Sequence, residues 1–389
     1  MTPRKIIVLG STGSIGRSTL DVVRRYPGRL RIIALAAHSN VDLLIQQYDA
    51  FQPDYLCLTD TARAEEAAER LKSRPVKVFG GEDDLVNLAG LDEADLVVNA
   101  IVGAAGLRAS LEAVRTGKSL ALANKESLVA GGPLFGPLMK KTQGIILPID
   151  SEHSAIWQVL ACGQPHEVRN VILTASGGPF RDYPLDRFDR ITPQQALSHP
   201  TWNMGPKISV DSATLVNKGL EVIEAVALFS LPPDKIKVVI HPQSIVHSMV
   251  EFIDSSIIAQ FSRPDMRLPI TYALFWPERV ESDLGQLDPS SLGSLSFEKP
   301  DETRFPALPL AFAVARTGGT APAVFNAANE VAVKAFLDEA IKFTDISAII
   351  DEVVGRVPVV SEPTLDDILQ ADYKARELAM QKTGQAICF

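Results

Sequence analysis

Lys5-Ile-Ile-Val-Leu-Gly-Ser-Thr-Gly-Ser-Ile-Gly16 lies near the amino terminus and sets the architecture of the first half of the chain. Its first five residues form an apolar run, as a central strand of a parallel sheet requires. Gly10, Gly13 and Gly16 follow in a G-x-x-G-x-x-G pattern, a variant of the dinucleotide-binding turn, and an amphipathic stretch begins at Ser18. Glycine in such a turn lets the backbone approach a pyrophosphate at the amino end of a helix. The segment predicts a strand, a nucleotide-binding turn and a helix, although a tight turn without a ligand would look similar.

Strand patterns alternate with helical patterns through the rest of the first 149 residues. This alternation is typical of a doubly wound parallel sheet, so we predict an α/β fold with a Rossmann-like domain over residues 1–149. The further predicted strands are Leu30–Ala36, Tyr55–Leu58, Val76–Phe79, Leu96–Ala100 and Ser119–Ala123.

The end of the second predicted strand bears on the choice of cofactor. An NAD site usually has an acidic residue about 20 residues after the glycines, which binds the ribose 2′-hydroxyl. Here the chain has His38, Ser39 and Asn40 instead. Without an acid the pocket accepts a 2′-phosphate, so NADPH is favoured over NADH, with Ser39 and Asn40 as the donors. Alternatively, these residues are only the turn that opens a helix at Val41.

Two acidic residues follow the last strand pattern of this half. Asp150 and Glu152 come directly after the apolar run 144–147 and Pro148-Ile149. Their two-residue spacing predicts that both side chains project from one face at the carboxyl end of that strand. Open α/β sheets bind their ligands at this edge.

A third acid belongs to a polar run from Ser212 to Glu221, which we interpret as the start of a helix. The four-residue spacing places Asn217 and Glu221 on one face, with Lys218 beside them. If that face meets the strand end, three carboxylates converge, and two bare carboxylates at about 4 Å repel by roughly 4 kcal/mol. They then need a cation, and all-oxygen ligands favour Mg2+ or Mn2+, with Co2+ as a third candidate, over zinc. Gly219 costs about 1 kcal/mol in a helix, which a closely approaching ligand or backbone would explain.

Donor groups near the same helix start predict an anion site. Ser212, Asn217 and Lys218 would supply a hydroxyl, an amide and an ammonium group. Ser176, ahead of Gly177-Gly178 at the end of another strand pattern, is a further candidate for holding phosphate, although a plain glycine turn has the same sequence.

Two other segments are predicted to face the substrate. Residues 199–206, with His199, two prolines and Trp202, have the character of a lid that excludes water, unless Trp202 only fills a gap in the core. Lys125, beside Glu126 at a strand end, is placed to hold a substrate oxygen, or else the two form a surface ion pair.

The remaining histidines and the cysteines favour structural roles. His153 follows the acidic segment, but all-oxygen neighbours make it a poor ligand candidate, and His241 and His247 are also interpreted as structural. The three cysteines, at positions 57, 162 and 388, contain no close pair, which fits a reducing compartment.

The second half is predicted to contain a catalytic domain over 150–281, a linker over 282–305 and a helical bundle over 306–389. Within the bundle, the polar run from Asn326 to Glu330 is interpreted as a helix start. The strand patterns, which suggest a mixed sheet, are Asn170–Ala175, Lys237–His241, Ile245–Glu251 and Ser256–Phe261. The helical patterns are Leu310–Arg316, Asn326–Glu339, Asp345–Val354 and Thr364–Lys382.

The composition excludes several partners. A net charge of −9 argues against nucleic acid, which basic proteins bind, and 46% hydrophobic with 22% charged residues is an ordinary globular profile. We find no run of about 18 apolar residues that would span a membrane and no leader before the first strand, so a cytoplasmic location is expected.

Eight runs together make the chain resemble the 1-deoxy-D-xylulose 5-phosphate reductoisomerase family. They occur in order from near the first residue to about Glu251, and in combination they are highly specific. They are Gly10–Gly16, Ala123–Ser127, Asp150–His153, Ala175–Phe180, His199–Gly205, Val210–Thr214, Asn217–Glu221 and His241–Ser244.

The resemblance implies roles for individual residues. Asp150, Glu152 and Glu221 would bind the metal. Substrate oxygens would contact Lys125, Ser151 and Asn217, and His199 would bind substrate from the flap that Trp202 closes. The phosphate would be held by Ser176, Ser212, Asn217 and Lys218. The NADPH site would be lined by Thr12, Gly13, Ser14, Ile15, Ser39, Asn40, Asn124, Glu126 and Gly205. Many members carry Lys or Arg where this chain has Ser39.

The resemblance also implies a homodimer and a reaction. The substrate would be a small phosphorylated sugar, 1-deoxy-D-xylulose 5-phosphate, rearranged to a branched aldehyde that NADPH reduces to 2-C-methyl-D-erythritol 4-phosphate. Two other hypotheses stay open from the residues alone. One is an NADP-dependent dehydrogenase of the homoserine or semialdehyde type, and the other is a non-catalytic NADP-sensing protein.

Overall fold

The computed structural model describes residues 2–202 and 204–384. The strands are β1 Arg4–Leu9, β2 Leu30–Ala37, β3 Tyr55–Leu58, β4 Lys77–Gly80, β5 Leu96–Asn99, β6 Ser119–Leu122, β7 Ile146–Pro148, β8 Val168–Ala175, β9 Ile236–Ile240, β10 Val246–Phe252 and β11 Ile257–Phe261. The α-helices are α1 Ser14–Arg25, α2 Val41–Phe51, α3 Thr61–Arg70, α4 Glu82–Ala89, α5 Leu107–Arg115, α6 Lys125–Lys141, α7 Ser151–Leu160, α8 Pro193–Leu197, α9 Pro206–Ala213, α10 Val216–Phe229, α11 Arg267–Phe275, α12 Ala307–Thr317, α13 Ala321–Leu337, α14 Phe343–Arg356 and α15 Leu365–Thr383.

The chain divides into two compact units. The first comprises the residues up to 127 together with 135–154 and 265–285, and the second comprises 128–134, 155–264 and the residues from 286 onward. This division by compactness groups the residues differently from the predicted boundaries after 149, 281 and 305, which remain a prediction.

The first unit is built on a seven-stranded sheet in the order β4-β3-β2-β1-β5-β6-β7, and every pairing in it is parallel. This confirms the predicted Rossmann-like sheet. In β1, the residues from Ile6 to Leu9 are fully buried, which explains why that strand is apolar on both faces. Strand order reverses at β1, which has β2 on one side and β5 on the other, so the carboxyl ends of β1 and β5 flank the crevice where such sheets bind ligands.

The second unit contains the mixed sheet and the helical bundle that the sequence predicted. The sheet has the order β11-β10-β8-β9, with β8 and β9 parallel and the other pairs antiparallel. Helices α12 to α15 and α10 share one hydrophobic core, which includes Phe325 and Phe336. Part of the predicted linker joins this sheet, because Glu298 forms a bridge with Ile240.

Three local predictions were wrong. The run from Ser212 to Glu221 is not the start of one helix: α9 ends at Ala213, Leu215 has a left-handed backbone (φ 57°), and α10 begins at Val216. Asn326 is not at a helix start but lies inside α13, fully buried. The amino-terminal helix begins at Ser14, earlier than predicted. Among the described residues, no helix combines the length and apolar character that a membrane span needs.

Candidate active site

In the glycine-rich turn after β1, two of the three glycines make backbone contacts too close for any side chain. Gly10 has φ +78°, and a Cβ there would lie 2.6 Å from the carbonyl oxygen of Ala100. A Cβ at Gly16 would lie 2.3 Å from the oxygen of Gly10, whereas one at Gly13 would make only ordinary contact at 3.4 Å. Gly10 and Gly16 are therefore required by the backbone itself, and Gly13 leaves space in front of the helix.

The amino end of α1 fits a pyrophosphate. Gly13 precedes its first residue, Ser14, and both are exposed, while Thr12 and Ile15 are partly buried. The first amides of a helix have no partner within it and attract anions. Behind the turn, Gln47 holds the buried Ser11 with two hydrogen bonds, of 2.7 Å and 2.9 Å.

Ser39 and Asn40 lie exposed after β2, as a ribose contact would require. The side-chain oxygen of Asn40 accepts a hydrogen bond from the Leu43 amide at 3.1 Å and so caps α2. The helix-opening interpretation is thus correct for this oxygen, while the amide nitrogen of Asn40 still offers donors to a 2′-phosphate.

Two asparagines shape the loop that follows β5. Asn99, at the end of the strand, donates to the Gly106 oxygen at 2.9 Å and accepts from the Ile101 amide at 3.1 Å. Asn124 donates to the oxygens of Ile101 and Gly103 at 2.6 Å and 2.7 Å, and lies 3.2 Å from Glu126. Asn99 was missed from sequence, where the available signal was an asparagine at the end of the apolar run 96–98. The structure shows that it is fully buried.

An ionised cluster surrounds Asp150 in the first unit. The ammonium group of Lys125 lies 2.5 Å from one oxygen of Asp150, and Nδ1 of His153 lies 3.3 Å from the other. A carboxylate oxygen of Glu152 lies within 4.8 Å of one from Asp150. The hydroxyl of the adjacent residue, Ser151, donates a hydrogen bond to Glu152 at 2.5 Å. Two close carboxylates suit a hard divalent cation.

Burial opposes the ionisation of Asp150, but the charge of Lys125 and then the hydrogen bond and charge of His153 outweigh it, so the pKa of Asp150 lies well below its usual value. Lys125 and Glu126 are both largely buried, so they do not form a surface ion pair. His153 is fully buried and orients Asp150, a contact that the sequence interpretation missed although the i, i+3 spacing allows it.

The geometric argument that linked Asp150 with Glu152 was wrong in one respect. Strand β7 ends at Pro148, and Glu152 lies in the first turn of α7 rather than on a strand. The Glu152 amide donates to Asp150 at 3.2 Å, so the start of the helix, not strand alternation, brings the two side chains together.

Glu221, the third predicted acid, lies in the second unit. It is almost fully buried on α10, accepts a 2.5 Å hydrogen bond from Asn217, and pairs with the buried ammonium group of Lys218. The predicted cluster of these three side chains is therefore present. Ser212 does not open their helix but lies near the end of α9.

The segment after β8 reaches the end of α9. Gly178 has φ +65°, and a Cβ there would lie 2.7 Å from the backbone oxygen of Ser212. The Gly178 amide donates to Ser176 Oγ at 3.3 Å, and this hydroxyl lies 3.0 Å from Nε2 of His199. These contacts bring the Ser176 segment close to Ser212 and to His199. Ser176 and Ser212 are two of the four residues expected to hold the phosphate, and His199 is expected to bind substrate from the flap.

The flap 199–206 is described apart from Asn203, which lies outside the described residues. Nδ1 of His199 accepts from the Trp202 amide at 2.9 Å, so the ring fixes the turn of the flap. Trp202 is only partly buried, with its ring centroid 6.4 Å from that of His247, so it does not fill a core gap. Gly205 is exposed immediately before α9.

His241 is structural, as predicted. It is fully buried, contacts the Ser296 oxygen at 2.9 Å, accepts from the Val246 amide, and stacks on Phe297. Cys57 is also inert, because burial first, and then the charge of Asp84, raises the pKa of its thiol to about 12. Cys388 lies outside the described residues.

Gly219 has a packing role. A Cβ at this position would lie 2.6 Å from the Cβ of Ala311, so helices α10 and α12 pack closely there. Of the two explanations that the sequence allowed, close approach of another element is the one found.

Comparison with known proteins identifies the relatives of this chain. Three family models match: 1-deoxy-D-xylulose 5-phosphate reductoisomerase over residues 6–132, and two models of that enzyme's C-terminal domain over 146–229 and 261–378. The 1-deoxy-D-xylulose 5-phosphate reductoisomerase of Chlorobaculum tepidum is 51% identical over 381 residues, covering 98% of this chain and 100% of that protein. That of Heliobacterium modesticaldum is 52% identical over 384 residues, covering 98% of each.

Solved structures give the same result. The reductoisomerase from Zymomonas mobilis in complex with NADPH has a TM-score of 0.92 and 44% identity, covering 99% of this chain and 100% of that one. A DOX-P reductoisomerase in complex with NADPH, fosmidomycin and magnesium has a TM-score of 0.93 and 40% identity, covering 98% of each chain.

Proposed function

The chain belongs to the 1-deoxy-D-xylulose 5-phosphate reductoisomerase family, and from that premise we propose how its residues divide the work. It is an NADPH- and divalent-metal-dependent enzyme that converts 1-deoxy-D-xylulose 5-phosphate into 2-C-methyl-D-erythritol 4-phosphate. The single observation that carries this function is about 50% identity to reductoisomerases over 98% of the chain. It selects the reductoisomerase from the three hypotheses that the residues alone left open.

We propose that Asp150, Glu152 and Glu221 bind the divalent ion. A bound Mg2+ or Mn2+ acts as a Lewis acid on the substrate's ketone and adjacent hydroxyl, and bound NADPH supplies the hydride. The ionised state of Asp150, its proximity to Glu152, and the all-oxygen donor set support this assignment. Asn217 and Lys218 hold the Glu221 carboxylate, which keeps a buried charge compensated.

The substrate's reacting oxygens are assigned to Lys125, Ser151 and Asn217. Lys125 carries its positive charge next to Asp150 and can donate to an oxygen that becomes more negative during the rearrangement. Ser151 presents its hydroxyl at the start of α7, where it already donates to Glu152.

The phosphate is assigned to Ser176, Ser212, Asn217 and Lys218, with His199 covering it from the flap. Binding energy from this non-reacting group can orient the reacting carbons. Support comes from the close approach of the Ser176 segment to Ser212 and from the Ser176–His199 contact. Trp202 would shield the site from water when the flap closes.

The cofactor is assigned to the crevice of the parallel sheet. The pyrophosphate fits the amino end of α1, and the other contacts would come from the exposed end of β2, the end of β6 and the flap. The residues are Thr12, Gly13, Ser14, Ile15, Ser39, Asn40, Asn124, Glu126 and Gly205.

One assay tests the reaction and its cofactors together. The purified enzyme should oxidise NADPH when given 1-deoxy-D-xylulose 5-phosphate, lose this activity in EDTA, and regain it with Mg2+ or Mn2+. With deuterated NADPH, NMR should locate deuterium in 2-C-methyl-D-erythritol 4-phosphate. Activity that survives complete removal of metal would refute the metal site.

A variant tests the ligand assignment. Glu221→Gln keeps the shape of the side chain but removes its charge, so we expect turnover to fall at least about a hundredfold. Equilibrium dialysis should show weaker Mn2+ binding without substrate or NADPH. Glu352→Gln, at a surface ion pair on α14, is the control and should leave both properties unchanged.

We further propose a cytoplasmic homodimer. The dimer is implied by the family resemblance and supported by the edge strand β11, where Ile257 and Phe261 are 55% and 47% exposed. Large apolar side chains on an open sheet edge invite pairing with another chain.

A further inference from the structure

The polar run Asn326–Glu330 has no place in the proposed chemistry, yet two of its amides are fully buried within α13. Asn326 donates to Glu330 of its own helix at 2.9 Å. Asn329 instead donates to Oδ1 of Asp211, 118 residues earlier, at 2.8 Å. A buried amide that reaches so distant a carboxylate fixes one element against another.

Asp211 lies on α9 and is 1% exposed. Its second oxygen, Oδ2, pairs at 3.0 Å with the ammonium group of Lys207, one turn earlier in the same helix. The Asp211 carboxylate therefore makes two contacts: Oδ2 pairs with a residue of α9, and Oδ1 connects α9 to α13.

Helix α9 joins two parts of the proposed substrate site, the flap and Ser212. It follows the flap directly, with Gly205 at its amino end, and it carries Ser212 immediately after Asp211. The backbone oxygen of Ser212 is the atom against which Gly178 packs. A displacement of α9 would therefore move Ser212 and the base of the flap together.

We propose that Asn329 is a positioning residue: through Asp211 it holds α9 so that Ser212 and the flap meet the substrate's phosphate. This inference rests on the proposed function, since it concerns how tightly the phosphorylated sugar is held. It gives the carboxyl-terminal bundle a part in substrate binding although none of its residues is assigned a contact with substrate.

The test compares two asparagines on the same helix. Asn329→Ala removes the tether to α9, whereas Asn326→Ala removes an equally buried amide whose partner is in α13. We expect Asn329→Ala to raise the KM for 1-deoxy-D-xylulose 5-phosphate about tenfold or more, because small misplacements of binding groups are costly. The inhibition constant of inorganic phosphate should rise with it, and Asn326→Ala should leave both within about twofold.

Partial unfolding cannot imitate this result. Loss of folded enzyme lowers kcat in proportion but leaves KM and the phosphate inhibition constant unchanged, and thermal unfolding of both variants measures their stability directly. If Asn329→Ala changes only kcat, or if both variants change KM alike, the positioning role is refuted. Wild-type turnover is measured first, so failure of the proposed function is recognised separately.

An exchange of the two groups gives a second test. Asn329→Asp places two carboxylates against each other and should impair KM at least as much as Asn329→Ala. Adding Asp211→Asn restores one donor and one acceptor with their positions exchanged, so the double variant should recover most of the loss in KM. A double variant no better than Asn329→Asp would contradict the proposal.

Discussion

His199 has a defined tautomer. Its Nδ1 accepts hydrogen bonds from the amides of Thr201 and Trp202, at 3.1 Å and 2.9 Å, so the proton of the neutral ring is on Nε2. Nε2 then donates to Ser176 Oγ, which lies 3.0 Å away. Protonation of Nδ1 would direct an N–H at two amide donors and break the turn of the flap.

The pH dependence of the flap follows from this tautomer. Burial lowers the pKa of His199 below its ordinary value of about 6.5, so the folded protein favours the neutral ring. The stabilisation that the neutral His199 ring gives to the folded protein is complete above about pH 6.5. It is lost as the pH falls through the lower pKa of the folded state. We expect kcat/KM to decline on the acid side, and 15N NMR should show Nε2–H at neutral pH.

A variant distinguishes His199 from other titrating groups. The His199→Gln variant should bind substrate less well at neutral pH. Because glutamine is not protonated, the part of the decline in kcat/KM at acid pH that His199 causes should be absent. If its pH profile has the same shape as the wild-type profile, the flap histidine is not the group responsible.

Asn40 permits a clean test of cofactor choice. Asn40→Asp keeps an oxygen that can cap α2, since Asp and Asn are equally good at that position, but replaces the donor nitrogen by negative charge. We expect the KM for NADPH to rise about tenfold or more, because a carboxylate repels a 2′-phosphate and accepts from a free 2′-hydroxyl. The KM for NADH in the same variant is the internal control and should stay constant or fall. Equal changes for both cofactors would remove Asn40 from the 2′-phosphate site.

At the scale of elements, strands were predicted best. Runs such as 6–9 are apolar on both faces because a central parallel strand is buried on both, so composition alone reveals them. The break between α9 and α10 was missed because Leu215 adopts a left-handed backbone that nothing in its side chain favours. Asn326 was misplaced because a buried polar residue resembles a cap when its tertiary partners are unknown.

The contact between α10 and α12 gives a stability prediction. Gly219→Ala gains up to about 1 kcal/mol of helix propensity but places a methyl group 2.6 Å from Ala311, and overpacking of this kind costs about 1–3 kcal/mol. We expect net destabilisation of up to about 2 kcal/mol in urea unfolding. Gly355→Ala, near the exposed end of α14 with nothing within 4 Å, is the matched control and should be neutral or slightly stabilising. If the two variants are equally stable, α10 and α12 can separate without cost.

At the scale of the whole molecule, the sequence predicted the parallel sheet, the mixed sheet and the helical bundle. It did not predict that a later segment of the chain packs back onto the first unit. Residues 265–285 return to the first unit, where Arg4 donates to the Leu274 oxygen and Tyr26 packs edge-on against Phe275. The order of patterns along a chain contains no signal for such a return, because the mostly apolar sequence of α11 does not indicate which unit it packs against. The residues assigned to the site were found from local motifs, whereas the contact between Asp211 and Asn329 joins residues that are 118 positions apart.

The edge strand β11 is where the proposed dimer can be tested. Ile257, Ile258 and Phe261 are 55%, 37% and 47% exposed, on both faces of β11, which is the edge strand of its sheet in the part of the chain that the structure describes. A symmetric interface would bury each side chain twice, so Phe261→Lys should remove roughly 1.5–3 kcal/mol per copy. The dimer should then weaken by at least about a hundredfold, since 1.4 kcal/mol is tenfold. Leu369→Lys, on the 42% exposed apolar site of α15, controls for a new surface charge. Light scattering after size exclusion should find a wild-type dimer, a Phe261→Lys monomer and a Leu369→Lys dimer; a Phe261→Lys dimer of unchanged affinity would place the interface elsewhere.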